Sequence, residues 1–193
     1  MRSKYFIRGV FGLTGSGKTT FLARAAARHL KKGNPVFANF ELQGAYKISV
    51  DDLGKVALPF DSLVLLDEIS LVCDCREWKS FSGDLVYFFT HHRKLKCSVF
   101  WASQNFGDAD KKIRNLTDRV YRVVPWFFGL SAAYPVEKVQ YNEGYQYIEG
   151  YAESRFPLLY SPKKYGAMFD TLGGTRYTLS VRLRIFLSAS PKF

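Results

Sequence analysis

Residues 12–19 read Gly-Leu-Thr-Gly-Ser-Gly-Lys-Thr, which satisfies the pattern G-x-x-x-x-G-K-[ST]. The flanks supply the context that this pattern needs. Tyr5 to Phe11 is an apolar run that reads as a strand, and Thr19 to Leu30 has a helical composition rich in Ala, Leu and Arg, closed by Gly33 and Pro35. In a strand, glycine loop and helix of this kind, backbone N–H groups wrap phosphate oxygens and the helix N-terminus adds its partial positive charge. Lys18 then reaches the β- and γ-phosphates of ATP, and the Thr19 hydroxyl is a ligand for Mg2+. Gly12, Thr14, Gly15, Ser16, Gly17, Lys18, Thr19 and Thr20 are the candidate nucleotide-binding residues.

Further along, Val36 to Phe40 reads as a second strand, Val50 to Val56 as a short helix and Leu63 to Leu66 as a third strand buried on both faces. Gly83 to Leu95 fits a helix whose basic end, His91-His92-Arg93-Lys94, complements its dipole. Ser98 to Ser103 is a fourth strand, Ala109 to Leu116 a short basic helix and Arg119 to Val124 a fifth strand. Strands and helices alternating in this way imply an α/β fold with a mostly parallel sheet covered on both faces. After Pro125 the texture changes, and Lys138 to Tyr147 reads as two short strands about Asn142-Glu143-Gly144 in an attached ribbon. The tail Arg176 to Leu187 alternates apolar and basic residues, as a half-buried strand would. The expected division is a P-loop core at 1–125 and a β-rich extension at 126–193 packed on it.

The third strand delivers Asp67 and Glu68 to the carboxyl edge of the sheet, where ligands of α/β folds bind. Asp67 is the candidate metal residue beside Thr19, and Glu68 is the candidate general base that orients and deprotonates water. The plain alternative for Glu68 is a solvated carboxylate at a strand end. Gln104 follows the fourth strand, in position to touch the γ-phosphate or the water, although a polar residue there can equally cap a loop.

The formal charge of +11 favours a polyanionic partner such as nucleic acid or acidic lipid, though solubilising charge would produce the same excess. Cys73, Cys75 and Cys97 lack the spacing of a disulfide framework and point to a reducing, cytoplasmic setting with free buried thiols. A metal site of Cys73, Cys75, His91 and His92 lacks the paired spacing of structural zinc. No secretory signal is expected, nor any run of about 18 apolar residues that would span a bilayer.

The P-loop, Leu66-Asp67-Glu68, Trp78, Phe89-Thr90-His91-His92-Arg93-Lys94, Ser103-Gln104, the stretch Asp110 to Leu116 and Val120-Tyr121-Arg122 together resemble the zonula occludens toxin-like family. Its members include filamentous-phage assembly ATPases, within the wider FtsK/HerA group of DNA motors. Lys164 to Thr171 is similar to a tyrosine-aspartate-threonine segment near the end of that domain, so the resemblance runs from Phe6 to Thr171. It implies a RecA-like core with strand order 5-1-4-3-2, a catalytic glutamate beside the magnesium aspartate, and a homo-oligomer such as a hexamer. It also implies an arginine acting across a subunit interface, with Arg114 preferred over Arg93 and Arg119; each of the three is otherwise a surface or phosphate-contacting cation. Many phage members continue into a transmembrane helix and an external domain, and neither is in this sequence. Three readings are open: the sequence is the cytosolic part alone, a separate phage or membrane assembly partner supplies the anchor, or the chain belongs to a soluble DNA-packaging branch.

The leading expectation is a phage or mobile-element ATPase that moves DNA, single-stranded DNA favoured, in virion assembly, extrusion or packaging. The basic segment Lys111 to Arg122 agrees with a nucleic-acid substrate. A small-molecule kinase is the second reading, opposed by Glu68, whose activated water would waste ATP. A nucleotide-gated interaction module with little turnover is the third.

Overall fold

In the computed structural model, residues 4–69, 82–143 and 146–168 are described, with backbone alone at 138–143 and 146–151. The elements in chain order are β1 (Ile7–Phe11), α1 (Lys18–Leu30), β2 (Val36–Ala38), β3 (Tyr46–Lys47), β4 (Leu63–Leu66), α2 (Gly83–His91), β5 (Ser98–Ser103), α3 (Lys111–Leu116), β6 (Arg119–Trp126), β7 (Leu130–Glu143), β8 (Gln146–Glu153), β9 (Leu158–Tyr160) and α4 (Pro162–Gly166). Cys73, Cys75, Trp78, the end of the tyrosine-aspartate-threonine segment and the tail 176–187 lie outside the described residues.

Period-two alternation in the parallel strands explains the layering. Leu63 and Leu65 join Val10, Phe100 and Ala102 in one core, closed by Phe21, Leu22, Ala23 and Ala26 of α1. Val64 and Leu66 join Ile7, Val99 and Trp101 in the other, closed by Leu85, Phe88 and Phe89 of α2 and Ile113 of α3. A strand apolar at every position, such as β4, is stable only when covered on both faces. The helices that cover it are fixed at their starts by side-chain caps: Ser82 Oγ accepts from Leu85 N at 3.2 Å, and Asp110 Oδ1 accepts from Lys112 N at 2.6 Å.

The sheet runs β3-β2-β4-β5-β1-β6-β7-β8, with β9 also on β7. Its five expected strands, β1, β2, β4, β5 and β6, are parallel and in the expected order, with β1 flanked by β5 and β6. Both edges are longer than the sequence indicates. The short β3 pairs in parallel with β2. At the other edge β7, β8 and β9 join the main sheet antiparallel, so the expected ribbon is a continuation of the sheet and its two strands are much longer than expected. β6 runs through Pro125 to Trp126 because the proline sits near the hairpin end, opposite Ser131. The expected helix at 50–56 is a single 3-10 turn, Val50–Asp52, capped by Ser49 and ended by extended Leu53. No helix among the described residues is long and apolar enough to cross a membrane.

Cys97 is a free buried thiol, and burial pushes its pKa up to about 11. Among the described residues no three His, Cys, Asp or Glu side chains are grouped to hold a metal. His91 and His92 instead bond their own helix, through the carbonyls of Tyr87 and Phe89.

β1 and β5 approach each other closely at Gly9. A Cβ on Gly9 would lie 2.4 Å from the ring of Trp101, which is itself fully buried and held by Nε1 donating to Thr117 Oγ1 at 2.9 Å. Gly9→Ala is therefore expected to destabilise the protein by about 1–3 kcal/mol through overpacking, measured by urea denaturation. An unchanged midpoint would mean that the indole moves aside freely.

Candidate functional site

β1 ends at Phe11, and residues 12–17 turn the chain into α1. Two glycines have steric reasons to be there. A Cβ on Gly12 would lie 2.3 Å from the Val123 carbonyl oxygen, and Gly17 combines a φ of 101° with a Cβ position 2.6 Å from Ser131 Oγ. α1 starts with no side-chain cap and no acidic residue in its first turn. Its first N–H groups therefore lack intrahelical partners and face outward with the positive end of the dipole. Lys18 is only 6% exposed, and its Nζ donates to the carbonyls of Gly12 at 2.9 Å and Leu13 at 3.2 Å. The loop is wrapped round its own ammonium.

The strand-end carboxylates lie beside this loop. Thr19 Oγ1 donates to Asp67 Oδ2 at 2.6 Å, joining residues 48 apart in sequence. Asp67 is held by a residue that the sequence reading did not single out. Asn39, just past β2, accepts from Asp67 N at 2.8 Å and donates to the Asp67 carbonyl at 2.9 Å, a two-point clamp on the backbone. Glu68 follows in the left-handed region at φ 48°, with its N–H donating to Asp67 Oδ1 at 3.0 Å. Its Oε2 is buried with no hydrogen-bond partner among the described residues. Backbone strain and an unsatisfied buried carboxylate oxygen on one residue are the kind of cost that accumulates at functional sites.

Gln104 contributes through its backbone, its carbonyl accepting from Gly12 N at 3.1 Å, while its side chain is exposed. Arg114 is apart from the loop within this chain. It stands over the Phe106 ring at 5.4 Å and lines an open cavity of about 720 Å³ with Lys111, Asn115, Arg119 and Glu137, which no P-loop residue lines. Arg93 is paired with Asp118 at 2.6 Å, and Arg122 with Glu153.

The antiparallel extension also reaches the loop. Ser131 Oγ on β7 donates to the Ser16 carbonyl at 3.0 Å, and the Tyr160 hydroxyl on β9 donates to the Gly17 carbonyl at 2.9 Å. Both side chains are buried, and burial pushes the Tyr160 phenol well above its ordinary range. The Tyr160 ring packs edge-on against Phe21 of α1 at 5.5 Å. No local pattern marks either residue, because the partners are 115 and 143 residues away.

No family model matches the sequence, and no curated protein matches it. The fold is similar to that of the N-terminal domain of zonular occludens toxin from Neisseria meningitidis, with a TM-score of 0.61 and 19% identity over 86% of this chain and 99% of that one. It is also similar to the genome packaging NTPase B204 from Sulfolobus turreted icosahedral virus 2 in complex with ATP-gammaS, at a TM-score of 0.52 and 10% identity over 63% of this chain and 75% of that one. The DNA-packaging ATPase B204 from Sulfolobus turreted icosahedral virus gives 0.50 and 11% identity over 61% and 74%. The chain has the RecA-like P-loop NTPase fold.

Asn39→Ala removes both bonds to the Asp67 backbone and is expected to lower stability by about 1–2 kcal/mol, read from chemical denaturation. Equal stability in the variant would mean that water replaces the amide at no cost.

Proposed function

We propose that this chain is an ATPase whose hydrolysis drives DNA movement in the assembly, extrusion or packaging of a phage or mobile element. The observation that carries the reading is the joined set at the loop: Thr19 bonded to Asp67 at 2.6 Å, the buried ammonium of Lys18, and the unpartnered carboxylate oxygen of Glu68. Thr19 and Asp67 offer hard oxygen donors side by side, which fits Mg2+, and they are the residues that would hold it. Bound there, that ion would supply charge neutralisation at the phosphate oxygens.

The remaining steps belong to the chain. The N–H groups of Gly15 and of Gly17 to Thr20 cradle the phosphates, those of Gly12 and Ser16 being bonded to the carbonyls of Gln104 and Leu13, and Lys18 exchanges its two carbonyl partners for phosphate oxygens, a stronger charge-assisted bond. Glu68 accepts a proton from water as the water oxygen bonds to the γ-phosphorus, and the bond from that phosphorus to the bridging β-oxygen breaks. Gln104 positions the water, and Arg114 from a neighbouring copy neutralises charge on the transferred group. Mg2+, ATP, a homo-oligomer such as a hexamer and a membrane or capsid partner all follow from this reading.

A nucleic-acid substrate is supported by the +11 charge, by exposed Lys111 and Lys112 on α3, and by the printed descriptions of the viral packaging NTPases that share the fold. Lys18→Ala is expected to lose nucleotide binding, whereas Glu68→Gln should keep it and lose hydrolysis by about a hundredfold or more. Steady-state turnover measured with and without single- and double-stranded DNA should rise with DNA, more with single strands, and the rise should fade with salt. Tight binding without turnover would overturn the ATPase and leave a switch. Transfer of the phosphoryl group to a nucleoside would indicate a kinase.

A further inference from the structure

β6 and β7 are joined by a tight turn, Phe127–Gly129, that holds aromatic side chains in solvent. Phe127 is 71% exposed and Phe128 100% exposed, and Phe128 adopts φ 57° and ψ 31°. That backbone region suits glycine or asparagine and is strained for a bulky side chain. A phenylalanine wholly in solvent recovers none of that strain by packing. Trp126 meets Phe127 edge-on, with ring centroids 5.6 Å apart, so the turn presents a braced apolar surface.

Its position follows from the strand register. Trp126 pairs with Leu130 and Pro125 with Ser131, and the Ser131 hydroxyl touches the Ser16 carbonyl of the P-loop at 3.0 Å. The turn therefore flanks the loop on the β7 side. The opposite flank, beyond β5, carries β4 with Asp67 bonded to Thr19. A triphosphate with its terminal phosphate at Lys18, Thr19 and Asp67, laid along the loop away from that carboxylate, would bring its nucleoside end to the aromatic turn. We propose that Phe127 and Phe128 are the stacking platform for the nucleobase. This rests on the reading of the loop as a triphosphate site. Stacking uses the face of the ring, and apart from the indole N–H of Trp126 the turn has no side-chain hydrogen-bonding group to read a base edge. The platform accepts adenine and guanine alike and does not read which purine it holds.

The test titrates the full chain, in Mg2+ buffer, with ATP, GTP and inorganic tripolyphosphate, which has phosphates and no base. The variants are Phe127→Ala with Phe128→Ala, and Phe128→Asn alone, whose side chain suits the left-handed backbone. The double variant should weaken ATP and GTP by about tenfold or more and leave tripolyphosphate unchanged. Phe128→Asn should lose part of the ATP affinity while its melting temperature holds or rises. Unchanged ATP affinity, equal loss of tripolyphosphate, or a shift in self-association with affinity kept would each overturn the platform. A native chain that binds neither ATP nor tripolyphosphate would overturn the triphosphate site itself, and the platform with it.

Discussion

Lys18 carries its ammonium into a loop where its partners are two backbone carbonyls, those of Gly12 and Leu13, and where it is almost entirely shielded from water. A buried cation with neutral partners is expensive to hold, so the surrounding chain has to fix the loop against relaxing outward. That constraint accounts for much of the local structure. Gly12 is glycine because the Val123 carbonyl presses on it from β6, and Gly17 because Ser131 and Tyr160 press on it from β7 and β9. The same two hydroxyls occupy the carbonyls of Ser16 and Gly17, which fixes the peptide units on either side of Gly17. Under the proposed function the loop is shaped for an anion before one arrives, and preorganisation of that kind is how a small site binds without a large reordering cost.

The carboxylate side is held with equal care. Asp67 does not simply hang from the end of β4, since Asn39 fixes both its N–H and its carbonyl. With the backbone clamped, the Asp67 side chain has both oxygens engaged, one with Thr19 and one with the Glu68 N–H. Glu68 then takes the strain, in a left-handed backbone with an unpaired carboxylate oxygen. Satisfied bonds on one residue and an unsatisfied oxygen on the next agree with the proposed division of the pair into a positioner and a proton acceptor.

Much of this was legible in the sequence, for physical reasons. The P-loop and the strand ending in Asp67 are local patterns, because a glycine loop and a doubly buried strand each impose their composition over a few consecutive residues. The parallel order of the five central strands followed from the family resemblance and from the alternation of strands and helices. Ser131, Tyr160 and Asn39 were not legible. Each acts through one or two polar atoms on backbone groups 28 to 143 residues away, and a lone serine, tyrosine or asparagine has many local uses. Pro125 misdirected the reading of β6, since a proline near a hairpin end is tolerated where a proline in a central strand is not.

The extension past Pro125 gains a structural rationale from β7. It runs unbroken for 14 residues, roughly 45 Å at the usual strand rise. One end holds Ser131 against the P-loop, and the other pairs with β8 beyond the start of β6. Ladder bonds on both edges, to β6 and to β8 and β9, prevent the strand from slipping, because a shift of one residue would turn Ala133 out of the core and exchange every face. Displacement of the Ser16 carbonyl therefore cannot be absorbed by local sliding. It breaks the bond to Ser131, a net loss of about 1 kcal/mol, before it moves a strand held by ladder bonds on both edges, so β7 acts as a fixed post against which the loop is set.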